Sequence, residues 1–188
     1  MFKRSEDRKE EAVLDQQKRE QFEASVLTHL GSAYNLARWL TRNDHDAEDV
    51  VQESYLRAYR FFGGFRGGDA RAWLLTIVRN TCYTWFQQNR SRELTDSLDD
   101  GANNIESDAP SPEAELIKNA DSKLVTKALE ELPLEFREVV VLREMEGMSY
   151  KEIADIADIP LGTVMSRLAR ARKRLQQSLA PNVSREAR

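Results

Sequence analysis

The sequence has very few of the residues that build disulfides, metal sites and acid–base catalysts. Its 188 residues include one cysteine, Cys82, and two histidines, His29 and His45. A single cysteine can form neither an internal disulfide nor a zinc site made of several cysteines. Neither histidine has an evident partner at a spacing useful for acid–base catalysis. We therefore expect a protein that is not an enzyme and uses no metal or other cofactor.

Long apolar runs are also missing. The longest unbroken runs contain four residues, as in Val139–Leu142, whereas a transmembrane helix needs about 20. The stretch Met1–Glu11 carries charges of both signs and lacks the apolar core of a signal peptide. With 40% apolar and 32% charged residues, the chain has the composition of a globular protein. We expect a cytoplasmic protein without membrane insertion.

Glycine and proline are scarce and clustered, with eight and five copies. Between the clusters, apolar residues recur at spacings of three and four, the helical period, and alternating strand patterns are scarce. We predict an all-α fold. The predicted helices are Gln21–Thr41, Asp44 to the glycine cluster at Gly63, Asp69–Asn89, Ala114–Leu132, Pro133–Gly147, a short helix from Ser149, and Leu161–Ser178.

Each long N-terminal helix has one predicted apolar stripe. The stripes are Phe22, Val26, Leu30, Ala33, Ala37 and Leu40 on the first helix; Ala47, Val50, Val51, Ser54 and Ala58 on the second; and Leu74, Ile77, Val78, Thr81 and Trp85 on the third. Asn43 or Asp44 is expected to cap the second helix, whose first turns are acidic, as the positive end of a helix favours.

An acidic segment separates two helical regions. Residues 91–121 contain nine acidic and two basic residues together with Pro110 and Pro112, a composition typical of a linker. The predicted organisation is a charged leader (1–20), a first helical domain (21–92), an acidic flexible linker (93–113), a second helical domain (114–178) and a tail (179–188).

The second domain contains a helix-turn-helix pattern. Ser149 and Glu152 form a capping box, and a short turn at Asp158–Pro160 leads into the last helix. At about 100° per residue, Val164, Leu168, Ala171 and Leu175 share a buried side. Ser166, Arg170 and Lys173 lie opposite, with Arg167, Arg172 and Arg174 on the flanks.

Charge separates two interpretations of this last helix. Leu161–Arg174 contains five basic residues and no acidic one, in a chain with a net charge of −4. A solvated basic face on an ordinary amphipathic helix is the simpler interpretation. The capping box, the turn length and the local charge reversal together favour a recognition helix in the DNA major groove.

The segment Arg57–Arg92 suits single-stranded nucleic acid. It holds seven arginines, one acidic residue and eight aromatic residues, and cations interleaved with aromatic rings track phosphates and stack bases. We expect Phe61, Phe62 and Trp85 in the core, and Phe65 and Arg66 in a loop that caps a pocket for an unstacked base. The residues of the third helix predicted to project outward are Trp73, Thr76, Asn80, Tyr83, Thr84 and Gln87. For Trp73 and Tyr83, packing in the core is the alternative.

Energetics limit what this segment can do alone. Unstacking a base costs a few kcal/mol, while each aromatic stack returns about 1–3 kcal/mol. A net acidic chain gains little from general attraction to phosphates. We expect the free protein to bind DNA weakly and to need a larger basic partner.

Two blocks of motifs resemble regions 2 and 4 of bacterial RNA polymerase sigma factors of the extracytoplasmic-function (ECF) class, the short branch of the sigma-70 family. The region 2 block is Asp46–Glu53 (DAEDVVQE), Ala58-Tyr59-Arg60, Phe65-Arg66-Gly67, Ala72-Trp73-Leu74 and Arg79-Asn80. The region 4 block is Leu132-Pro133 through Arg137, Leu142-Arg143-Glu144, Gly147–Ala154, Pro160–Val164, Arg167 and Arg170-Ala171-Arg172.

The resemblance implies an alternative sigma factor that binds core polymerase, through the β′ clamp and β flap, and promotes promoter melting. It implies contacts to the non-template single strand of the −10 element by Phe65, Arg66, Trp73, Arg79, Asn80, Tyr83, Thr84 and Gln87. Contacts to the −35 duplex are implied for Thr163, Met165, Ser166, Arg167, Arg170, Lys173 and Arg174. Polymerase binding is implied for Asp46, Glu48, Asp49, Gln52, Glu53 and Arg57.

The resemblance also implies an anti-sigma factor as a partner and a linker that threads polymerase channels. The sequence departs from some relatives at Met165 and Ala169, where they carry a base-contacting arginine and a bulky aromatic residue. The alternative function is a conventional helix-turn-helix regulator with Phe22–Asn89 as a sensor or dimerisation domain. A nucleic-acid enzyme has little support, because paired carboxylates in an apolar setting are absent from the sequence.

Overall fold

A computed structural model describes residues 16–96 and 123–186, and every regular element within these ranges is helical. The first range contains α1 (16–26), α2 (Leu30–Thr41), α3 (Asp44–Phe61) and α4 (Ala70–Asp96). The second contains α5 (123–130), α6 (Leu134–Val140), α7 (Tyr150–Ala157) and α8 (Leu161–Glu186). The all-α prediction is confirmed, and most of the leader and of the predicted linker lies outside the described residues.

The described residues form two compact units. The first unit takes the residues up to Cys82 together with Asp155–Asp158, and the second takes Tyr83–Ala154 and the residues from Ile159 onward. Two helices are longer than predicted, since α4 continues to Asp96 and α8 to Glu186. Residues 93–96 of the predicted linker are therefore helical, and residues 90–96 contain no glycine or proline to end a helix.

The core of the first unit forms where α2, α3 and α4 bury their apolar sides. The buried residues include Ala33, Leu36, Ala37 and Leu40 of α2, Ala47, Val50, Val51 and Ala58 of α3, and Leu74, Leu75, Val78 and Cys82 of α4. Two polar contacts connect the helices across this core. The Tyr55 hydroxyl donates to the Val26 carbonyl at 3.2 Å, and Arg71 Nε donates to Ser32 Oγ at 3.0 Å.

The predicted single helix from Gln21 to Thr41 is interrupted, and this part of the prediction was wrong. A 3₁₀ turn at Leu27–His29 separates α1 from α2. A 3₁₀-helix has about 3.0 residues per turn, whereas an α-helix has about 3.6. The 3₁₀ turn therefore changes the direction in which the apolar side chains of α2 point. Leu30, predicted to be buried, is 46% exposed, and Leu36 is fully buried instead.

An aromatic cluster surrounds Phe22 of α1. Its ring meets those of Tyr55, Tyr59 and Phe62 edge to face, with centroids 5.3–6.1 Å apart. Phe61 was predicted to lie in the core and is 62% exposed. It is the last residue of α3, with backbone angles outside the helical region, and Phe62 instead takes the place beside Phe22. Trp85, also predicted to be buried, is only partly covered.

The second unit packs α6, residues 150–154 of α7, and α8 around a core that includes Val139, Leu142, Ile153, Val164 and Leu168. The predicted capping box of α7 is confirmed. The Ser149 amide donates to Glu152 Oε2 at 2.7 Å, and the Glu152 amide donates to Ser149 Oγ at 3.2 Å. These contacts satisfy amide groups that the first turn of a helix leaves without partners.

Replacing Phe22 with alanine should destabilise the first unit by about 3–5 kcal/mol, because the substitution leaves a cavity between three aromatic rings. The measurement is urea unfolding followed by tryptophan fluorescence. Phe61→Ala is the matched control, and its effect should stay within about 0.5 kcal/mol because the side chain is exposed. Equal effects of the two substitutions would contradict the packing described.

Candidate nucleic-acid interface

The turn between α7 and α8 sets the start of the basic helix. Asp158 adopts a left-handed backbone conformation with φ of 52°. The Pro160 carbonyl then accepts from the amides of Thr163 and Val164, at 2.8 and 3.2 Å, as α8 begins. Asparagine and aspartate tolerate this conformation better than most residues, which fits the turn that the sequence predicts at this position.

The outward face of α8 carries most of the residues assigned to the −35 element. Val164, Leu168 and Ala171 are at most 1% exposed. Because this side of α8 is buried, the opposite side faces the solvent. The exposed members of the predicted set are Met165, Ser166, Arg170, Lys173 and Arg174. Among these five residues, three are cations and one, Met165, has a large apolar side chain.

Two members of the set are partly covered. Thr163 is half-buried, and its carbonyl accepts a hydrogen bond of 3.0 Å from the Ser166 hydroxyl. Arg167 lies with Nη1 3.8 Å from Oε2 of Glu138, whose side chain is fully buried. A buried carboxylate near a guanidinium holds that side chain against the protein, so Arg167 connects α8 to α6.

A second cluster lies in the first unit, where the loop after α3 meets the start of α4. The Phe65 ring lies 5.8 Å from Phe62 and 5.1 Å from Trp73, between centroids. Phe65 and Trp73 are both partly exposed. Gly67 and Gly68 have φ of 84° and 103°, a region that favours glycine. The structure thus brings two predicted base-binding rings together beside a glycine turn that follows the exposed Arg66.

The side chains that follow on α4 divide between the two units. Asn80 is exposed and lies two helical turns after Trp73, and Arg79 Nη1 donates to its Oδ1 at 3.2 Å. Tyr83 belongs to the second unit, where its hydroxyl donates to Glu138 at 3.2 Å. Thr84 is partly covered and Gln87 is exposed.

The acidic residues of α3 form a third surface. Asn43 caps the helix, its Oδ1 accepting from the Asp46 amide at 3.1 Å, as predicted. The exposed members of the predicted polymerase-binding set are Glu48, Asp49, Gln52 and Glu53. Arg57, which belongs to the same set, is half-buried and pairs with Glu53 at 2.7 Å.

Asp46 is less exposed than its acidic neighbours, and its environment disfavours the ionised carboxylate. Partial burial raises the pKa of Asp46, and repulsion from Asp49 raises it further. Attraction to His45 acts in the opposite direction and is the weaker effect. The ionised form of Asp46 is therefore less favourable here than in water, chiefly because the carboxyl group is partly buried.

Two apolar features near this acidic surface were not predicted from the sequence. Leu56 is 59% exposed on α3. A groove of about 550 Å³ runs between α2 and α3, lined by Leu30, Gly31, Tyr34, Glu48, Val51, Gln52 and Tyr55. Leu56 lies outside the apolar stripe predicted for α3. Its position in the sequence therefore already indicated an exposed apolar side chain. No local sequence pattern indicates the groove, because its lining residues come from two different helices, α2 and α3.

Within residues 16–96 and 123–186, the structure contains no cluster of three or more histidine, cysteine, aspartate or glutamate residues suited to a metal ion. In the same part of the chain, no helix combines the length and apolar character needed to cross a membrane.

The chain is similar to known proteins of one family. The Sigma-70 region 2 family matches residues 26–92, and the Sigma-70, region 4 family matches residues 122–175. The chain is 37% identical over 153 residues to the ECF RNA polymerase sigma-E factor of Haemophilus influenzae, covering 78% of this chain and 80% of that protein. It is 33% identical over 177 residues to the ECF RNA polymerase sigma factor SigE of Mycolicibacterium smegmatis, covering 94% and 68%.

A solved structure gives the same result. The fold is similar to that of the sigma factor RpoE from Bartonella quintana, which was crystallised in complex with the anti-sigma factor NepR. The TM-score is 0.68 at 34% sequence identity, and the similarity covers 85% of this chain and 97% of the other.

Replacing Asp49 with asparagine should lower the pKa of Asp46, because removing a nearby negative charge makes ionisation of the remaining carboxyl easier. The pKa should remain above its ordinary value, since burial persists. Carboxyl ¹³C NMR titration measures this shift. Glu53→Gln is the control, because Glu53 is not among the charges that shift Asp46; a similar decrease in that variant would contradict the assignment.

Proposed function

This chain belongs to the sigma-70 family, in the branch of the ECF sigma factors, and we propose that it acts as an alternative sigma factor that directs core RNA polymerase to particular promoters and helps to open them. The observation that carries the proposal is the presence of both promoter-binding regions in one chain and in family order, at residues 26–92 and 122–175. We assign region 2 to residues 21–92 and region 4 to residues 114–178, with the acidic linker, 93–113, between them.

Region 4 binds the −35 element as duplex DNA through α8. The exposed Ser166 and Arg170 are the main candidates for base contacts, because each can offer hydrogen bonds to base edges in the major groove. Lys173 and Arg174 lie on the same exposed surface and suit contacts to phosphates, which position the helix without specifying sequence. Arg167 has a different role: its contact with the buried Glu138 orients α8.

Region 2 binds the −10 element as non-template single strand. The Phe65–Trp73 pair and the exposed Asn80 support this role, since aromatic faces stack unpaired bases and an amide reads their edges. Arg66 and Arg79 supply positive charge beside this surface, and Tyr83, Thr84 and Gln87 extend it along α4. The free energy gained by stacking a few bases on aromatic rings is little more than the cost of unstacking them from the DNA. Stable opening of the promoter therefore requires the polymerase.

Core polymerase binds through the acidic surface of α3. Glu48, Asp49, Gln52 and Glu53 present an exposed acidic and polar face that suits a basic partner surface, which we assign to the β′ clamp. Leu56, exposed on the same helix, adds an apolar contact of the kind that anchors interfaces. Region 4 contacts the β flap.

An anti-sigma factor regulates the protein by masking these surfaces. The complex of the sigma factor RpoE with the anti-sigma factor NepR, whose sigma chain is 34% identical to this one, supports this part of the proposal. The protein acts in the cytoplasm, where its polymerase partner is found, and contributes binding energy rather than catalytic chemistry.

Reconstituted transcription tests the proposal. The protein mixed with core polymerase should initiate at specific sites in a library of upstream regions, with no other sigma factor present. A conventional regulator would instead bind duplex DNA tightly by itself as a dimer and leave core polymerase inactive. That outcome would refute the proposed function.

Arg170→Ala should weaken binding of the holoenzyme to its −35 element by about 1–3 kcal/mol, the value of a good base contact. Competition binding with promoter fragments measures this change. Lys127→Ala is the matched control, because Lys127 is an exposed cation of the second unit on α5. Losses of equal size in the two variants would indicate general attraction to phosphates rather than reading of a base.

Asn80→Ala should slow promoter opening by about fivefold, the effect of one neutral hydrogen bond, while assembly with core polymerase stays unchanged. Permanganate reactivity of the −10 region reports opening, and co-elution with core enzyme reports assembly. Asp49→Lys should show the opposite pattern, because it reverses a charge on α3. Loss of assembly in Asn80→Ala would mean that its side chain faces the polymerase.

A further inference from the structure

The exposed surface of α8 is divided into an apolar row and a cationic flank. Leu161 is 49% exposed and Met165 is 53% exposed. They are four residues apart, so their side chains are neighbours along the helix. Ala169, four residues further on, is also exposed. We call these three residues the apolar row of α8.

The apolar row cannot turn inward. Val164 and Leu168 are at most 1% exposed, and they hold the neighbouring side of α8 against the second unit. Rotation of the helix that buried Met165 would bring both residues into water. The exposure of Leu161 and Met165 is therefore a fixed property of the surface rather than a gap in the packing.

The surroundings of the apolar row indicate what it contacts. Leu161–Arg174 contains five cations and no acidic residue, a charge that suits DNA. Lys173 and Arg174 are exposed on the same helix and can hold it on phosphates. In a major groove the apolar group available to such a row is the C5-methyl group of thymine.

We propose that Leu161 and Met165 read a thymine of the −35 element through its C5-methyl group. The proposal rests on the proposed function, in which α8 enters the major groove. Both residues lie in the first turns of α8, the part of a recognition helix that contacts base edges. The flexible thioether of Met165 adapts its shape to an apolar partner, and Leu161 covers the other side of the methyl group. Specificity at this base pair thus comes from apolar contact and not from a hydrogen bond.

Deoxyuridine substitution tests the proposal, because it removes the methyl group and leaves base pairing intact. Promoters are first selected from a random upstream library by transcription with the holoenzyme. Each thymine of the −35 element, on either strand, is then replaced singly by deoxyuridine, and holoenzyme affinity is measured by competition. Loss of one methyl contact should weaken wild-type binding about fourfold at one position.

Substitutions of Met165 test whether the loss of affinity caused by deoxyuridine depends on the apolar row. In Met165→Ala the same deoxyuridine substitution should weaken binding less than in the wild type, because only Leu161 then covers the methyl group. Met165→Leu should retain most of the wild-type effect. Met145→Ala is the matched control, since Met145 is a 38% exposed methionine on the same unit outside α8; its profile should equal that of the wild type.

Three outcomes would overturn the proposal. The first is a wild-type profile with no sensitive thymine, and the second is a sensitive thymine whose sensitivity in Met165→Ala equals that in the wild type. The third is a loss of assembly with core polymerase in Met165→Ala, which would assign the apolar row to a protein contact. In all three, transcription from the selected promoters leaves the proposed function intact. Failure to obtain any transcript would refute the proposed function and this proposal with it.

Discussion

Burial of one side of α8 is the constraint on which the DNA-binding surface depends. Val164, Leu168 and Ala171 are packed against the second unit, and this packing fixes the rotation of the helix about its axis. All side chains on the opposite side are then oriented together, the basic ones and the apolar row alike. The Arg167–Glu138 contact adds a polar restraint between α8 and α6. The buried apolar side chains and this ion pair together fix the orientation of the exposed side of α8.

Charge is distributed unevenly along the chain, and the distribution matches the proposed division of labour. The outward face of α3 is acidic, whereas α8 between Leu161 and Arg174 is exclusively basic among its charged residues. Because the whole chain carries a net charge of −4, it gains little from non-specific attraction to DNA. Under the proposed function, weak DNA binding by the free chain and polymerase docking on the acidic face of α3 together make promoter binding conditional on the polymerase.

The aromatic residues of the first unit serve two purposes in one continuous cluster. Phe22 is buried among Tyr55, Tyr59 and Phe62, where it joins α1 to the end of α3. Phe62 then contacts Phe65 and Trp73, which are partly exposed. The rings proposed to stack on a base thus rest on the hydrophobic core itself. A rigid support of this kind reduces the entropy lost when a nucleotide is bound.

The sequence by itself determined the features that depend on local spacing. Helical periodicity gave the all-α class, Asn43 and the Ser149–Glu152 pair gave the caps, and the 100° advance per residue gave the two sides of α8. These features involve residues within one or two helical turns, whose geometry is nearly the same in every helix.

Only the tertiary structure decided which side chains near the ends of helices are buried. Phe62 is buried rather than Phe61 because it meets Phe22, forty residues away in the chain. Leu30 is exposed because a 3₁₀ turn rotates α2 before it packs on α3. Arg167 reaches Glu138 on another helix. Such contacts join distant segments, and local periodicity carries no information about which distant residue will be the partner.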